Sequence, residues 1–150
     1  SDQRQISDPV WLEGIHSSGR CQGKFGTKNV YLEHGIPGEL VQFTPGRRRQ
    51  GFHGGKVQEV VRASPHRQTP FCRHYRECGG CPWQHIRYNH QLELKHRILI
   101  NALEKYGINT PPVPPVIAST ETDYYRQRME YTFTASAVSE NASSGTGKPA

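Results

Sequence analysis

Three cysteines gathered in one short segment are the residues best suited to chemistry. Cys72, Cys78 and Cys81 fall within ten residues, whereas the fourth cysteine of the chain, Cys21, lies far upstream. Disulfide frameworks ordinarily use an even set of cysteines spread along the chain. Thiolates are also the ligands that zinc and iron–sulfur clusters accept. The spacing therefore predicts that Cys72, Cys78 and Cys81 are metal or cluster ligands, with reduced or redox-active thiols as the alternative.

The segment between these cysteines can fold tightly around a bound centre. Two glycines, Gly79 and Gly80, separate the last two cysteines, and a proline lies on either side of the segment. Glycine permits sharp turns, and proline fixes the backbone where the loop enters and leaves. The spacing leaves two kinds of centre open. Zinc could take His74 or His85 as its fourth ligand, whereas an iron–sulfur cluster requires another cysteine, and Cys21 is better explained as a buried thiol.

The chain is basic, which favours a polyanionic partner. It has 19 lysines and arginines against 13 aspartates and glutamates. The run of Arg47, Arg48 and Arg49 is flanked by glycines, and this predicts a protruding loop ahead of the apolar stretch at Val57. Two interpretations of the run stay open: a flexible arm that grips phosphates, or a solvated surface loop.

Short apolar stretches separated by glycine or proline predict a small β-barrel between about residues 6 and 63. Pro37 and Gly38 predict a type II turn, because proline presets the second position and glycine tolerates the positive φ of the third. A strand should then follow at Leu40. The four predicted strands contain Val10–Leu12, Val30–Leu32, Leu40–Phe43 and Val57–Val61.

Helical periodicity follows the cysteines and predicts one helix from about residue 90 to residue 106. Asn89 is the predicted N-cap and Gly107 the predicted C′ residue. The predicted apolar face consists of Tyr88, Leu92, Leu99, Leu103 and Tyr106, and the residues expected to face solvent are Lys95, His96 and Arg97.

The last third of the chain has little to bury. The proline-rich segment 111–115 predicts a stiff extended connector. Apolar and polar residues then alternate from Tyr125, which predicts a half-buried strand. From Ser136 the chain is rich in small and polar residues, and we expect it to be disordered or truncated. Since no stretch has the apolar length of a membrane span or a signal region, we expect a soluble, cytoplasmic protein.

A long pattern around the cysteines resembles a known family. The pattern is Cys72-x5-Cys78-Gly79-Gly80-Cys81-x2-Gln84-His85-x2-Tyr88-x2-Gln91-Leu92-x2-Lys95. It resembles the RNA (uracil-5-)-methyltransferases that carry an iron–sulfur cluster, in particular those acting on bacterial 23S ribosomal RNA. Upstream, Pro37-Gly38-Glu39 and Ser64-Pro65-x-Arg67 are similar to the TRAM domain of that family, a small OB-like RNA-binding barrel. Downstream, Tyr125-Arg126-x-Arg128-x-Glu130 is similar to the opening strand of its central domain.

This resemblance implies a fold that is mainly β with one helix. The implied organisation is an OB-like TRAM barrel over residues 5–64, a cysteine-cluster loop plus helix over 65–110, a linker and the first strand of an incomplete α/β central domain over 111–134, and a disordered or truncated tail over 135–150. The implied centre is a [4Fe-4S] cluster on Cys72, Cys78 and Cys81. Its fourth ligand is expected outside this chain, because no cysteine follows Cys81.

The implied reaction transfers a methyl group from S-adenosylmethionine to carbon 5 of a uridine in structured RNA, ribosomal rather than transfer RNA. In such enzymes a cysteine of a C-terminal domain adds to carbon 6 of the flipped-out base. That domain has no counterpart in this sequence, so we predict no catalytic residue here and expect the chain alone to be inactive. We also expect a monomer without DNA or membrane partners. The predicted RNA contacts are Lys24, Lys28, Arg47, Arg48, Arg49, His53 and Arg126.

A function of another class also stays open. The same cysteines and basic residues suit a stand-alone RNA-binding module with a structural zinc site, in which no part was ever catalytic. The metal separates the two functions, because an enzyme portion would hold iron and acid-labile sulfide whereas the module would hold zinc.

Overall fold

The computed structural model describes residues 6–46, 53–77, 80–109 and 111–124. Five strands form a closed barrel in the order β1-β2-β3-β5-β4, and one helix follows them in the chain. This confirms the prediction of a mainly β fold with a small barrel and one helix. The elements are β1 (Val10–Ile15), β2 (Cys21–Phe25), β3 (Lys28–Glu33), β4 (Leu40–Pro45), β5 (His53–Arg62) and α1 (Tyr88–Lys105).

The barrel closes through one parallel and four antiparallel strand pairs. β1 pairs with β2 and β4, β2 pairs with β3, and β4 pairs with β5, all in antiparallel fashion. The parallel pair joins β3 to β5, with Val30 opposite His53. All four predicted strands are present. The sequence pattern missed β2, because its residues Cys-Gln-Gly-Lys-Phe place a glycine rather than an apolar side chain at one of the two inward positions.

The barrel interior holds one apolar core that extends to the helix. Alternate residues of the strands point inward, as the burial pattern of β1 and β3 shows. Ile86 and Leu94 are both fully buried, so the segment before the helix and the helix itself belong to the same core. The other buried apolar residues are Val10, Leu12, Ile15, Cys21, Val30, Leu32, Ile36, Val41, Phe43 and Val57.

The turn before β4 has the predicted conformation. Gly38 adopts a φ of 92°, which its lack of a Cβ permits. The backbone N–H of Glu39 donates to the carbonyl of Ile36 over 3.1 Å, which closes the turn. β4 then begins at Leu40, as predicted.

The helix lies where it was predicted, but its N-cap and its buried face differ from the prediction. Arg87, not Asn89, is the N-cap residue, and its side chain makes no capping hydrogen bond. Gly107 has the left-handed φ of 64° expected at C′. The buried residues of α1 are His90 and Leu94, whereas the predicted face includes Leu99 and Tyr106, which are 44% and 73% exposed. The helix turns the other face inward because Leu94 enters the barrel core and His90 stacks on His66.

The connector after the helix is tied to α1 by two hydrogen bonds. The Nε2 of His96 lies 3.1 Å from the carbonyl of Val113, and the Tyr88 hydroxyl accepts from the backbone N–H of Ser119 over 2.8 Å. His96 is therefore half-buried rather than solvent-facing as predicted.

The chain divides into two compact units, Ser1–Thr120 and Glu121–Ala150. The predicted strand from Tyr125, with Arg126, and the tail after it lie outside the described residues. Within the described ranges, no helix has the length and apolar character that crossing a membrane would require.

Two strand glycines give a matched test of the barrel packing. A Cβ at Gly55 would lie 2.7 Å from the carbonyl oxygen of Thr44, whereas a Cβ at Gly14 meets nothing within 4 Å. We expect Gly55→Ala to lower the free energy of unfolding by about 1–3 kcal/mol, because a backbone carbonyl in a strand cannot move aside. Gly14→Ala should leave it nearly unchanged. Urea unfolding of the two variants measures the difference, and equal stability would contradict this account of the packing.

Candidate functional site

The loop that carries the cysteines is closed at its base. Arg67 and Ile86 form an isolated antiparallel bridge. On one side of it the backbone N–H of Gln68 donates to the carbonyl of His85 over 2.9 Å, and on the other the N–H of Arg87 donates to the carbonyl of His66 over 2.9 Å. The residues between 68 and 85 therefore form a loop whose two ends are joined by backbone hydrogen bonds.

Side chains of this cysteine loop, residues 68–85, fasten it to the barrel at separate points. The indole Nε1 of Trp83 donates to the carbonyl of Gly19 over 2.9 Å. The guanidinium of Arg76 donates to the carbonyl of Val57 on β5. Arg76 itself has a left-handed φ of 77°, unusual for a residue with a Cβ. The loop is thus held against β5 and against the turn between β1 and β2.

A chain of three rings makes the deepest of these attachments. The Nε2 of His85 lies 3.0 Å from the carbonyl of Gly35 and must donate to it, which leaves Nδ1 as an acceptor. The Tyr75 hydroxyl lies 2.5 Å from that Nδ1 and 3.0 Å from the carbonyl of Pro82, the two acceptors for its one proton, and its oxygen lies 3.1 Å from the Nδ1 of His34. His85 is only 2% exposed. The chain therefore links the loop to the segment between β3 and β4 through neutral rings.

Burial keeps these rings neutral. It lowers the pKa of His85 and that of His34 from 6.5 to about 4, with the positive charge of nearby arginines acting in the same direction. Burial also raises the pKa of Tyr75 from 10.0 to about 12. All three groups are therefore uncharged near neutral pH.

The two described cysteines of the loop are free thiols. Cys72 is half-buried and Cys81 is exposed, and neither is in a disulfide. The amide oxygen of Gln84 accepts from the backbone N–H of Cys72 over 3.3 Å, so Gln84 supports the loop. Cys78 lies outside the described residues. Neither thiol belongs to the apolar core, so the donor chemistry of both fits a soft metal ion or an iron–sulfur cluster.

The ligand set itself stays a prediction. Across residues 6–46, 53–77, 80–109 and 111–124, no group of three or more His, Cys, Asp or Glu side chains is placed to hold a metal ion. His85 is excluded as a zinc ligand, because both its ring nitrogens are engaged in the core. His74 is exposed, and its Nε2 accepts from the Nε of Arg73 over 3.1 Å. Burial raises the pKa of Cys21 to about 12, which is the behaviour of a core thiol.

A buried ion pair joins the barrel to the base of the cysteine loop. Arg67 binds the carboxylate of Glu39 with two hydrogen bonds of 2.6 Å, from Nε and Nη2, and Nη2 also donates to the carbonyl of His34 over 2.9 Å. Glu39 is fully buried and accepts further from the backbone N–H groups of Ile36 and Ser64, over 2.9 and 3.1 Å. Both partners lie in the Pro-Gly-Glu and Ser-Pro-x-Arg motifs of the sequence, but residue type and spacing alone do not indicate that they pair.

The predicted RNA contacts that the structure describes lie at one end of the barrel. Lys24 at the end of β2 and Lys28 at the start of β3 are both exposed on the hairpin that joins these strands. His53 begins β5 beside Val30, two residues after Lys28, so it lies at the same end. At this basic end the last residue of β4, Pro45, pairs with Gly55 of β5. Arg47, Arg48, Arg49 and Arg126 lie outside the described residues.

Comparison with known proteins finds RNA methyltransferases among the relatives of this chain. An uncharacterized RNA methyltransferase of Porphyromonas gingivalis is 33% identical over 105 residues, which are 69% of this chain. The 23S rRNA (uracil(1939)-C(5))-methyltransferase RlmD of Halomonas elongata is 36% identical over 77% of the chain, and that of Xanthomonas euvesicatoria is 38% identical over 68%. No protein-family model matches the sequence.

The chain spans about a quarter of the length of these relatives. It covers 23% of the Porphyromonas protein, 24% of the Halomonas protein and 23% of the Xanthomonas protein.

The buried ion pair between Glu39 and Arg67 should contribute strongly to the free energy of unfolding. The side chain of Glu39 is 0% exposed and that of Arg67 23%, whereas the second arginine pair, Arg20 with Glu33, is 43% and 35% exposed. We expect Arg67→Met to lower the free energy of unfolding by about 3–5 kcal/mol, because it leaves a buried carboxylate without its counter-charge. Arg20→Met should cost no more than about 1 kcal/mol. Similar losses in both variants, measured by urea unfolding, would refute the structural role of the pair.

The buried, neutral ring of His85 should make the free energy of unfolding depend on pH. In the unfolded chain His85 binds a proton below its ordinary pKa of 6.5, whereas in the folded chain it does so only below about 4. The unfolded state therefore binds more protons in this interval, and the free energy of unfolding falls as pH drops from 6.5 towards 4. When the free energy of unfolding is measured by urea unfolding at several pH values in this interval, its slope against pH should be smaller in His85→Gln than in the wild type.

His74→Gln is the matched control for that measurement, because the ring of His74 is exposed. In the control, the free energy of unfolding should change with pH as it does in the wild type. If it also does so in His85→Gln, the buried ring of His85 is not the source of the pH dependence.

Proposed function

We propose that this chain, which is homologous to RNA methyltransferases, is the RNA-binding and cluster-binding portion of an S-adenosylmethionine-dependent uracil-C5 methyltransferase that acts on 23S ribosomal RNA. The observation that carries the proposal is the similarity to the two 23S rRNA (uracil(1939)-C(5))-methyltransferases, at 36% and 38% identity. The closed barrel with its attached cysteine loop also supports the proposal, because Ser1–Thr120 form one compact unit.

In this proposal the barrel is a TRAM domain that positions the RNA. The OB-like strand order and the exposed lysines on the hairpin between β2 and β3 support this role. Contacts from such lysines to phosphates fix the register of an RNA without reading its sequence. Lys24, Lys28 and His53 would make these contacts, together with Arg47, Arg48, Arg49 and Arg126.

The cysteine loop would hold a [4Fe-4S] cluster on Cys72, Cys78 and Cys81. The free state of Cys72 and Cys81 supports this assignment, as does the absence of either from the apolar core. Cys21 is too deeply buried to serve as the fourth ligand, so that position would be filled by a group other than the cysteines of this chain. A bound cluster would supply a rigid cross-link for a loop that has few apolar residues of its own.

The residues of this chain would bind and orient the substrate rather than carry out the methyl transfer. The ring chain from His34 through Tyr75 to His85 and the ion pair between Glu39 and Arg67 fix the loop relative to the barrel. A fixed distance between these two parts would let both contact one folded RNA at the same time. The chemical step would belong to a part of the enzyme that aligns outside this segment.

The experiment uses the complete gene product that contains this segment, purified without oxygen. We expect it to contain iron and acid-labile sulfide and to transfer a labelled methyl group from S-adenosylmethionine to carbon 5 of a uridine in a 23S rRNA transcript. Cys72→Ser and Cys81→Ser should each lose most of the iron, since the thiolates are the ligands that hold it.

Cys21→Ala is the matched control and should keep its iron, because that thiol lies in the barrel core. Stoichiometric zinc with no methyl transfer would instead identify a stand-alone RNA-binding module. Iron content that is unaffected by the loop substitutions would overturn the assignment of the ligands.

A further inference from the structure

An open cleft of about 540 Å³ lies at the end of the barrel opposite the hairpin between β2 and β3, which carries Lys24 and Lys28. Arg62, which lines it, ends β5, whereas His53 begins that strand at the hairpin end. Trp11 lines it from β1 and pairs with Leu40 at the start of β4. Arg97 of α1 also lines the cleft. None of the described residues that line the cleft is an Asp or a Glu. The cleft is therefore basic and separate from the predicted RNA contacts.

An exposed tryptophan forms the aromatic part of the cleft. Trp11 points outward from β1 between the buried Val10 and Leu12, and 48% of it is exposed. The guanidinium carbon of Arg62 lies 5.8 Å from the centroid of its ring. A cation over an indole is attracted by the negative face of the ring. The guanidinium of Arg62 thus lies over the indole, so an aromatic ring and a positive charge are presented together in the cleft.

A second planar group lies in the same cleft. The rings of His66 and His90 stack with their centroids 3.9 Å apart and an angle of 6° between their planes. The Nδ1 of His90 lies 2.6 Å from the carboxylate of Glu93, which orients its ring. These two histidines join the base of the cysteine loop to the helix, so the wall that they form is fixed by the fold.

The two arginines of the cleft have no acidic partner. Among the described residues, ion pairs at carboxylates involve Arg20, Lys56, Arg67 and His90, and neither Arg62 nor Arg97 takes part in one. A guanidinium can bind a phosphate with two parallel hydrogen bonds. Both guanidiniums are therefore available to an anion in the cleft.

We propose that this cleft binds an unpaired segment of RNA, with one base stacked on Trp11 and the adjoining phosphates bound by Arg62 and Arg97. This inference rests on the proposed RNA-binding function and adds a second contact, at the barrel end away from Lys24 and Lys28. An acidic peptide would match the two charges but not the flat aromatic surface, whereas a nucleotide matches both. A base inside a duplex cannot stack on a side chain, so the bound segment is single-stranded.

The test uses the whole chain and a fluorescein-labelled oligouridylate of about ten nucleotides. The chain contains two tryptophans, and the indole N–H of Trp83 is bound to the carbonyl of Gly19. We expect the oligonucleotide to quench the intrinsic fluorescence of the wild type and Trp11→Phe to lose this quenching. Trp11→Ala should bind about fivefold or more weakly, because it removes a base-stacking platform. Trp11→Tyr should restore most of the affinity, which separates stacking from a folding defect.

The salt dependence of binding tests the two arginines. In the double variant Arg62→Gln, Arg97→Gln the slope of log K against log salt should become shallower by about 1.4, roughly 0.7 for each phosphate contact to a single strand. Arg73→Gln is the matched control, since Arg73 is exposed in the cysteine loop and its guanidinium contacts His74. An unchanged slope in the double variant would overturn the inference.

Three further binding measurements distinguish single-stranded RNA in the cleft from an acidic peptide, from duplex RNA and from binding at Lys24 and Lys28 alone. Polyglutamate that binds as tightly and quenches Trp11 equally would overturn it in favour of an acidic peptide, and equal quenching by duplex RNA would overturn the single-stranded requirement. If Lys24→Gln, Lys28→Gln weakens oligonucleotide binding while the cleft variants do not, the inference fails and the proposed function stands. Methyl transfer by the complete gene product reports on the proposed function independently.

Discussion

The ion pair between Glu39 and Arg67 is the interaction on which the rest of the structure depends. Its carboxylate accepts four hydrogen bonds, two from the guanidinium and two from the backbone N–H groups of Ile36 and Ser64. These donors come from the turn before β4 and from the segment that leaves β5. A buried carboxylate requires such partners, so the two segments cannot separate without a large cost in solvation. The position of the cysteine loop is thereby coupled to closure of the barrel.

Much of the barrel could be predicted from the sequence because its signals are local. Short apolar stretches separated by glycine or proline predicted four strands, and the Pro37-Gly38 pair predicted a turn whose geometry depends on the two residues themselves. β2 was not predicted because Gly23 occupies an inward position, where the backbone of Trp11 approaches too closely for a Cβ. That close approach is a tertiary contact, and it leaves no periodic pattern in the sequence.

The site was harder to predict because it depends on contacts between distant segments. Helical spacing located α1 correctly, but two apolar stripes were available and only packing against the barrel selected the one with Leu94. His85 was a sensible zinc ligand by spacing, yet the carbonyl of Gly35 and the hydroxyl of Tyr75 occupy both its nitrogens. The sequence did single out the cysteines and the lysines Lys24 and Lys28, since their chemistry is carried by residue type. It could not locate the cleft at Trp11, which four separate segments form together.

The backbone bridge between Arg67 and Ile86 also determines how the protein can vary. Because the two ends of the cysteine loop meet there, a longer loop adds only a small entropy of closure, about 0.6 kcal/mol for each doubling of its length. Extra residues could therefore be accommodated in the loop without moving the sheet or the helix, provided that Tyr75, Trp83 and His85 keep their contacts with the barrel. The bridge therefore makes this position a natural place for insertions, where a recognition element can be exchanged while the supporting scaffold stays the same.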